Sequence, residues 1–250
     1  MLTPERHRKI LSLLTEKEIV KLQELVDATD ASESTIRRDL IQLENEKKLK
    51  RVHGGASLLH QKGEELSVFE KLAKNLDEKD AIAKYAASLV NDGDCLYLDA
   101  GTTTHQMIAY ITSKNIKVVT NGITHLETLL EQDIETYSTG GLIKKKTKAF
   151  IGRGALEGIQ QYRFDKCFIG VNGIQIDCGF TTPDPEEALI KSLAIRLSQQ
   201  AFVLADHSKF NEITFAKITD LEKATIITNE SDQEILAPYR KNTFIKVVST

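Results

Sequence analysis

The chain has 250 residues, 41% of them hydrophobic, and a formal net charge of −3. That is enough apolar chain for one or two packed domains, and too acidic for a sequence-blind nucleic-acid coat protein, which would be strongly basic. The cysteines Cys95, Cys167 and Cys178 have no pairing pattern, and the histidines at 7, 53, 60, 105, 125 and 207 make no metal-ligand spacing with them, so neither a disulfide framework nor a structural metal is expected.

The N-terminus is charged by residue 5 and has no apolar core segment, so no signal peptide is expected. No apolar run approaches ~20 residues, so no membrane span is expected either. These features, with the reduced cysteines, predict a cytoplasmic protein. No motif calls for a cofactor.

Charge is uneven along the chain. Residues 1–60 hold 11 Lys/Arg against 10 Asp/Glu, a net +1, while the remainder holds 22 against 26, a net −4. A mildly cationic head on an anionic body suits a DNA reader whose second domain stays off the DNA. Thr3-Pro4-Glu5-Arg6 starts a helix, with Thr as N-cap and Pro at the first helical position. Ile10, Leu11 and Leu14 give it a buried stripe. Ile19-Val20-Lys21-Leu22 predicts a short strand. Leu22, Leu25 and Val26 predict a second helix, Asp27 to Ala31 a polar turn, and Ser32 the N-cap of a third helix.

In that third helix Ile36, Leu40 and Leu43 share one face at i, i+4 and i+7. Burying them turns Ser34, Thr35, Arg37 and Arg38 outward near the N-terminus, the end that a recognition helix inserts into the major groove. Arginine's planar fork fits guanine O6/N7 or a phosphate. The hydroxyls of Ser32, Ser34 and Thr35, with the N–H groups of the first turn, suit phosphate oxygens. Alone, the segment fits a solvated helix with two surface arginines equally well. The order helix, strand, helix, turn, helix decides for a helix-turn-helix. Beyond it, Lys50, Arg51 and His53 lie among Leu49 and Val52, and Gly54-Gly55 signals a hairpin, so a basic β-wing is predicted.

Residues 1–58 therefore read as a winged helix-turn-helix domain. Residues 59–78 read as a linker, with a polar hinge at Gln61 to Glu65 and a short helix around Phe69 to Leu72. Residues 79–250 read as an effector-binding domain. Helical periodicity resumes at Lys79, with Ile82, Ala83, Ala86, Ala87 and Val90 inside, and Asn91-Asp92-Gly93-Asp94 stops it. Strands are predicted at Cys95 to Leu98, Ile116 to Thr120, Ile134 to Tyr137, Lys166 to Val171, Ala201 to Ala205, Ala224 to Thr228 and Thr243 to Val248. Helices are predicted through Met107, Ile108 and Ile111, through His125 to Leu130, and from Pro185 through Ile190, Leu193, Ala194 and Leu197. This alternation predicts an α/β fold with a mostly parallel sheet.

Ligands of open α/β sheets bind beyond the carboxyl ends of the strands. There Asp99, Gly101, Thr102, Thr103 and Thr104 form an anion cradle, in which the glycine lets backbone approach and the threonines add hydroxyls at a helix N-terminus. Thr120-Asn121-Gly122, Gly140-Gly141 and Asn172-Gly173 occupy equivalent strand ends. Neither a Walker loop nor a dinucleotide fingerprint is present, which leaves small phosphorylated ligands, or a capped helix with no ligand.

Arg6, Ile10, Leu14, Ser32, Thr35, Ile36, Arg37, Arg38, Asp39 and Leu40 fall at the spacings of the DeoR-family helix-turn-helix signature, and His53-Gly54-Gly55-Ala56 matches its wing. The chain is identified as a member of that family, and Met1 to His7 and Lys50 to Ala56 resemble its regulators of fructose operons. From about Asp80 to Asp232 the chain is similar to the family's effector domain, which shares the fold of ribose-5-phosphate isomerase and the CoA transferases. The motifs that carry this are Asp99 to Thr104, Thr120 to Gly122, Gly140-Gly141, Gly170 to Gly173, Glu186-Glu187 with Lys191, and Asp206 to Lys209.

The resemblance implies a transcriptional repressor that binds operator DNA as a homo-oligomer, a dimer or tetramer, and is released by a sugar phosphate. Fructose 1-phosphate is the implied effector, and a tagatose 6-phosphate type of ligand is the alternative. By resemblance the threonine loop takes the phosphate, and Asp99, Asn121, Glu187 and Asp206 take sugar hydroxyls. Lys191 and Lys209 pair either with the phosphate or with Glu187 and Asp206 as a structural ion-pair set. Isomerisation needs a carboxylate base, which Asp99, Glu187 or Asp206 offers on chemistry alone. The lysine- and glycine-rich loop and paired acidic motif of the isomerases are missing, as is the CoA transferases' glutamate nucleophile in its glycine-rich setting. An enzyme is therefore not expected.

Overall fold

The computed structural model describes residues 2–17, 19–46, 48–52, 54–58, 67–72 and 74–249. The chain forms two compact units, Met1–Lys62 and Gly63–Thr250. In the first, α1 (Thr3–Lys17), β1 (Ile19–Lys21), α2 (Leu22–Thr29), α3 (Glu33–Asn45), β2 (Leu49–Val52) and β3 (Gly55–Leu58) follow in order. The strands pair antiparallel in the order β1-β3-β2. Ile10 and Leu14 of α1, Leu22 and Leu25 of α2, and Ile36, Leu40 and Leu43 of α3 close one apolar core with Val20, Leu49 and Ala56. Each such side chain removed from water contributes about 1.5–3 kcal/mol. Asp30 turns the chain after α2 at φ 53°, and Ser32 caps α3 by accepting the Thr35 N–H at 3.3 Å.

The second unit opens with α4 (Val68–Leu72) and α5 (Leu76–Ala87). The helix expected from Lys79 starts one turn earlier, because Asp77 and Glu78 favour the positive end of its dipole. It stops at Ala87, and Val90, expected on its buried side, packs from the turn that follows. Next come β4 (Cys95–Leu98), α6 (Thr102–Ile108), β5 (Lys117–Thr120), α7 (Ile123–Glu131), β6 (Glu135–Ser138), β7 (Leu142–Lys144), β8 (Ala149–Ile151) and α8 (Gly152–Gln160). They are followed by β9 (Phe164–Gly170), β10 (Gly173–Gln175), β11 (Gly179–Thr182), α9 (Pro185–Arg196), β12 (Ser198–Leu204), β13 (Ala216–Thr219), β14 (Thr225–Thr228), α10 (Gln233–Tyr239) and β15 (Ile245–Val247).

Among the described residues seven strands form one parallel sheet in the order β15-β14-β12-β9-β4-β5-β6. Successive strand residues alternate between its faces. Leu96, Leu98, Val118, Phe168, Leu204 and Ile227 pack on α5, α6 and α7. Tyr97, Val119, Cys167, Ile169, Val203 and Ile226 pack on α8, α9 and α10. Both faces are covered, which is why the strands read as short apolar runs rather than as alternating patterns.

The sequence reading is silent on β7, β8, α8, β11, β13 and α10. Three glycines in Gly152–Gln160 lower helix propensity by about 1 kcal/mol each and mask α8. Packing selects them: a Cβ at Gly158 would lie 2.0 Å from the Thr139 carbonyl oxygen. In α10, Pro238 lies inside the last turn and obscures the pattern. Strands β10, β11 and β13 make a separate antiparallel sheet, and β7 and β8 a hairpin.

Candidate functional site

In the first unit α3 presents Ser32, Ser34, Arg37 and Arg38 to solvent, with Thr35 half-buried. Ser32 Oγ lies 3.0 Å from Ser34 Oγ and 2.8 Å from Thr35 Oγ1, so the three hydroxyls form one cluster at the helix start. Arg37 Nη2 donates to Glu33 Oε1 at 2.6 Å along the helix. Arg38 has no hydrogen-bond or ion-pair partner among the described residues. Arg51 donates from its backbone N–H and its Nε to Glu44, at 2.9 and 2.6 Å, tying β2 to α3. Lys50 lies in β2 in register with Ser57, and His53 falls outside the described residues.

Asp39 points the other way. It is buried, and its carboxylate takes Arg6 Nε, Arg6 Nη2 at 3.0 Å and His7 Nε2 at 3.2 Å. Burial raises its pKa, but the bonds from Arg6 and His7 outweigh that and hold it below its ordinary value. This clamp joins α1 to α3. Sequence reading places Arg6 and Asp39 in the family signature and gives no sign that they touch.

In the second unit the strand order reverses between β4 and β9, where a doubly wound sheet opens a crevice at its carboxyl edge. Asp99 follows β4 there and is fully buried. Its Oδ2 accepts the Gly170 N–H at 3.0 Å and Lys191 Nζ, which also donates to the Gly170 carbonyl at 3.1 Å. Its Oδ1 is buried and has no hydrogen-bond partner among the described residues. Asn121 Oδ1 accepts the Ala100 N–H at 2.9 Å, and Thr120 Oγ1 bridges the Leu98 carbonyl and the Gly122 N–H.

The threonine loop divides in two. Thr104 turns inward, where its hydroxyl donates to the Asp99 carbonyl at 2.6 Å and accepts the Gly101 N–H at 3.1 Å. His125 Nε2 lies 3.1 Å from the same hydroxyl. The single Thr104 proton is already given away, so Nε2 is the donor. Burial, with His105 alongside, pushes His125 down to about 3, so its ring is neutral. Gly122 belongs to the same fit, since a Cβ there would lie 2.4 Å from His125 Nδ1. Thr102 is buried at the helix start, and Thr103 is half-buried.

Two further groups lie along the strand ends. Glu187 Oε1 accepts Thr147 Oγ1 at 2.7 Å and Lys144 Nζ at 3.1 Å, and Lys144 also bonds Asp184 at 2.6 Å. Burial raises the Glu187 pKa, and Lys191, Lys144 and Thr147 more than reverse that. Asp206 Oδ1 accepts Asn75 Nδ2 at 2.9 Å and the Ser208 N–H at 3.0 Å, with Lys209 Nζ 3.7 Å from Oδ2. Burial raises Asp206 also, and Lys209, Ser208 and Asn75 bring it below its ordinary value. Gly140 and Gly141 follow β6, where Gly141 packs on α8 at Ala155. Asn172 is bonded to Thr182, and Gly173 starts β10. Neither pair has a hydrogen bond to the Asp99 cluster.

Sequence reading misses Asn75, Lys79, Lys144 and Thr147. Lys144 and Thr147 stand in Lys144-Lys145-Lys146-Thr147-Lys148, which reads as a solvated charge run. Asp184, the N-cap of α9 through the Glu186 and Glu187 N–H groups, carried a legible signal just before Pro185. A cleft of about 780 Å³ between α5 and β15 shares none of the Asp99, Glu187 or Asp206 groups. No cluster of His, Cys, Asp and Glu among the described residues can hold a metal ion, and no helix there is long and apolar enough to cross a membrane.

Both units match known families. Residues 6–62 match the DeoR-like helix-turn-helix domain, and residues 74–230 match the DeoR C terminal sensor domain. The chain is 50% identical to an uncharacterized HTH-type transcriptional regulator, FruR, of Bacillus subtilis, over 99% of each protein. It is 32% identical to a lactose phosphotransferase system repressor of Staphylococcus aureus, over 98% of each. A ribose 5-phosphate isomerase of Methanocaldococcus jannaschii overlays at TM-score 0.41 and 17% identity, covering 54% of this chain and 55% of that one. The chain belongs to the DeoR family of helix-turn-helix transcriptional regulators, with an N-terminal DNA-binding domain and a C-terminal sensor domain.

Proposed function

We propose that the protein represses a fructose-utilisation operon in the cytoplasm and is released from operator DNA by fructose 1-phosphate. The observation that carries the sensor half of this reading is Asp99 Oδ1, a buried carboxylate oxygen without a donor at the point where the sheet order reverses. An unpaired buried acceptor costs free energy. A sugar hydroxyl entering between β4 and β9 supplies the missing donor. Asn121, Glu187 and Asp206 offer further polar partners, and Lys191 and Lys209 offer positive charge. The phosphate is assigned to Thr102 and Thr103 by family resemblance. Fructose 1-phosphate is supported by the resemblance at Met1 to His7 and Lys50 to Ala56, and by the relative that carries the name FruR.

On the DNA side, Ser32, Ser34, Thr35, Arg37 and Arg38 face the operator, with Lys50, Arg51 and His53 of the wing on its backbone. A two-fold operator is read by a homo-oligomer, a dimer or tetramer. The sensor site does not catalyse. Glu187 and Asp206 are held below their ordinary pKa values, which makes them weak general bases at neutral pH. Aldose–ketose turnover above background, abolished by Glu187→Gln, would overturn that statement.

Fluorescence anisotropy tests the whole reading. Labelled DNA from upstream of the protein's own operon is titrated at fixed salt, with and without fructose 1-phosphate, with glucose 6-phosphate and tagatose 6-phosphate as controls. Tight binding lost with fructose 1-phosphate alone is the expected result. Loss with tagatose 6-phosphate instead would favour the second reading. Absence of specific binding would remove the repressor reading.

A further inference from the structure

Nine residues separate Leu58, the end of β3, from Val68, the start of α4. Ser67 caps this short helix: its Oγ accepts the Glu70 N–H at 3.3 Å, and its own N–H donates to Glu70 Oε2 at 2.6 Å. The Val68 N–H donates to the Lys146 carbonyl at 3.2 Å. The helix packs on α6, and Lys71 is among the charges that hold Glu187 down. The Lys71 carbonyl accepts Lys79 Nζ, an amine 5% exposed. Asn75 then takes φ 52° and ψ 49°, a left-handed conformation that asparagine adopts more readily than other non-glycine residues. From there its Nδ2 reaches Asp206 Oδ1. The described residues of this stretch thus bond Lys146 in the loop after β7, the Lys79 amine and, beyond the end of β12, Asp206.

We propose that α4 and Asn75 form a strap across the mouth of the sensor site, clasped by Asn75 on Asp206 and by Lys79 on the Lys71 carbonyl, and that the effector opens it by taking those two groups. The inference rests on the sugar-phosphate reading and adds how that site reports to the DNA-binding domain. A hydroxyl that donates to Asp206 competes with Asn75. A phosphate draws the Lys79 ammonium from a neutral carbonyl, because the charge-assisted bond is stronger. A ligand shifts an equilibrium only by its difference in affinity between two states, and the clasp supplies that difference. The clasped state holds the operator, and the opened state releases it.

The test uses the full chain with Asn75→Gly, which removes the amide and keeps the left-handed backbone unstrained, and Lys79→Met as a second variant of similar volume. Hydrogen exchange of the 67–75 amides, operator affinity by anisotropy and calorimetric binding of fructose 1-phosphate are read together. In the wild type, fructose 1-phosphate should speed exchange in the strap. Without sugar, Asn75→Gly should show that faster exchange and bind operator at least about fivefold more weakly. An Asn75→Gly protein with wild-type operator affinity and wild-type strap exchange overturns the clasp. Fructose 1-phosphate that binds and leaves strap exchange unchanged overturns the transmission while the sensor reading stands. Absence of fructose 1-phosphate binding removes the sensor reading, and the operator affinity of Asn75→Gly still decides the strap.

Discussion

In the DNA-binding domain the groups proposed to meet a ligand stand in solvent: Arg37 and Arg38 are exposed on α3, with their apolar stripe behind them. In the sensor domain the equivalent groups are interior, with Asp99, Lys191, Asp206 and Glu187 at 0%, 5%, 3% and 6% exposure. Burying ions removes their hydration, and the loss is offset when each finds a counter-charge and further hydrogen bonds. In the first domain, then, a functional side chain can be removed with little effect on the fold. In the second, the proposed function and stability share the same atoms. Asp39 is the exception that sharpens the contrast, a charge on the recognition helix whose carboxylate faces inward and holds α1.

The largest effects should come from the interior charges. Asp99→Asn leaves Lys191 beside a neutral amide and should cost about 3–5 kcal/mol of sensor-domain stability. Urea unfolding followed by hydrogen exchange should show the loss in β4, β9 and α9, with the α1 and α3 amides unchanged. A variant as stable as wild type would end the claim that site and fold share atoms. Asp39→Asn should produce the mirror image, destabilising α1 and α3 by a similar amount. The pH dependence has a defined sign. The folded Asp39 pKa lies below its ordinary 3.8, so its contribution is complete above that value and is lost as pH falls through the lower, folded value. Urea midpoints of the first domain should therefore be flat in Asp39's contribution from pH 5 to 7 and fall in acid.

Arg38→Ala should weaken operator binding by about 1–3 kcal/mol, as expected for a bidentate base contact, with stability within about 0.5 kcal/mol of wild type. Intact operator affinity and specificity in both Arg37→Ala and Arg38→Ala would show that α3 is not the reading helix. Thr103→Val should raise the fructose 1-phosphate concentration for half-release by roughly one hydrogen bond, about 1 kcal/mol, and leave operator affinity without sugar unchanged. Loss of DNA binding in a folded Thr103→Val protein would place that loop in the coupling or in an oligomer interface instead. The smallest effect belongs to Glu33, whose surface pair with Arg37 at i,i+4 contributes about 0.3–0.5 kcal/mol. Glu33→Gln should cost no more stability than that and should tighten operator binding slightly, because it frees Arg37 and removes a negative charge facing phosphates. Weaker operator binding would mean that Glu33 positions Arg37 productively.

What the sequence by itself determined is local and periodic. The i, i+4, i+7 stripe of α3, the Ser32 cap, the wing strands and the alternation of apolar strands with helices each depend on neighbours a few residues apart, so spacing was enough to read them. The outward face of α3 followed from the inward one, because a helix has two sides. What only the tertiary structure decided is which distant groups meet. The side chains of Asp99, Lys191 and Glu187 and the backbone of Gly170 converge because strand order reverses between β4 and β9, and nothing in local periodicity encodes sheet order. The turn of Thr104 away from the site, the neutral His125 behind it and the reach of Asn75 to Asp206 follow from that packing. The glycines of α8 and the lysine run at 144–148 carry no local periodic signal for the same reason. Close approach and burial assign their roles, and both are properties of the folded chain.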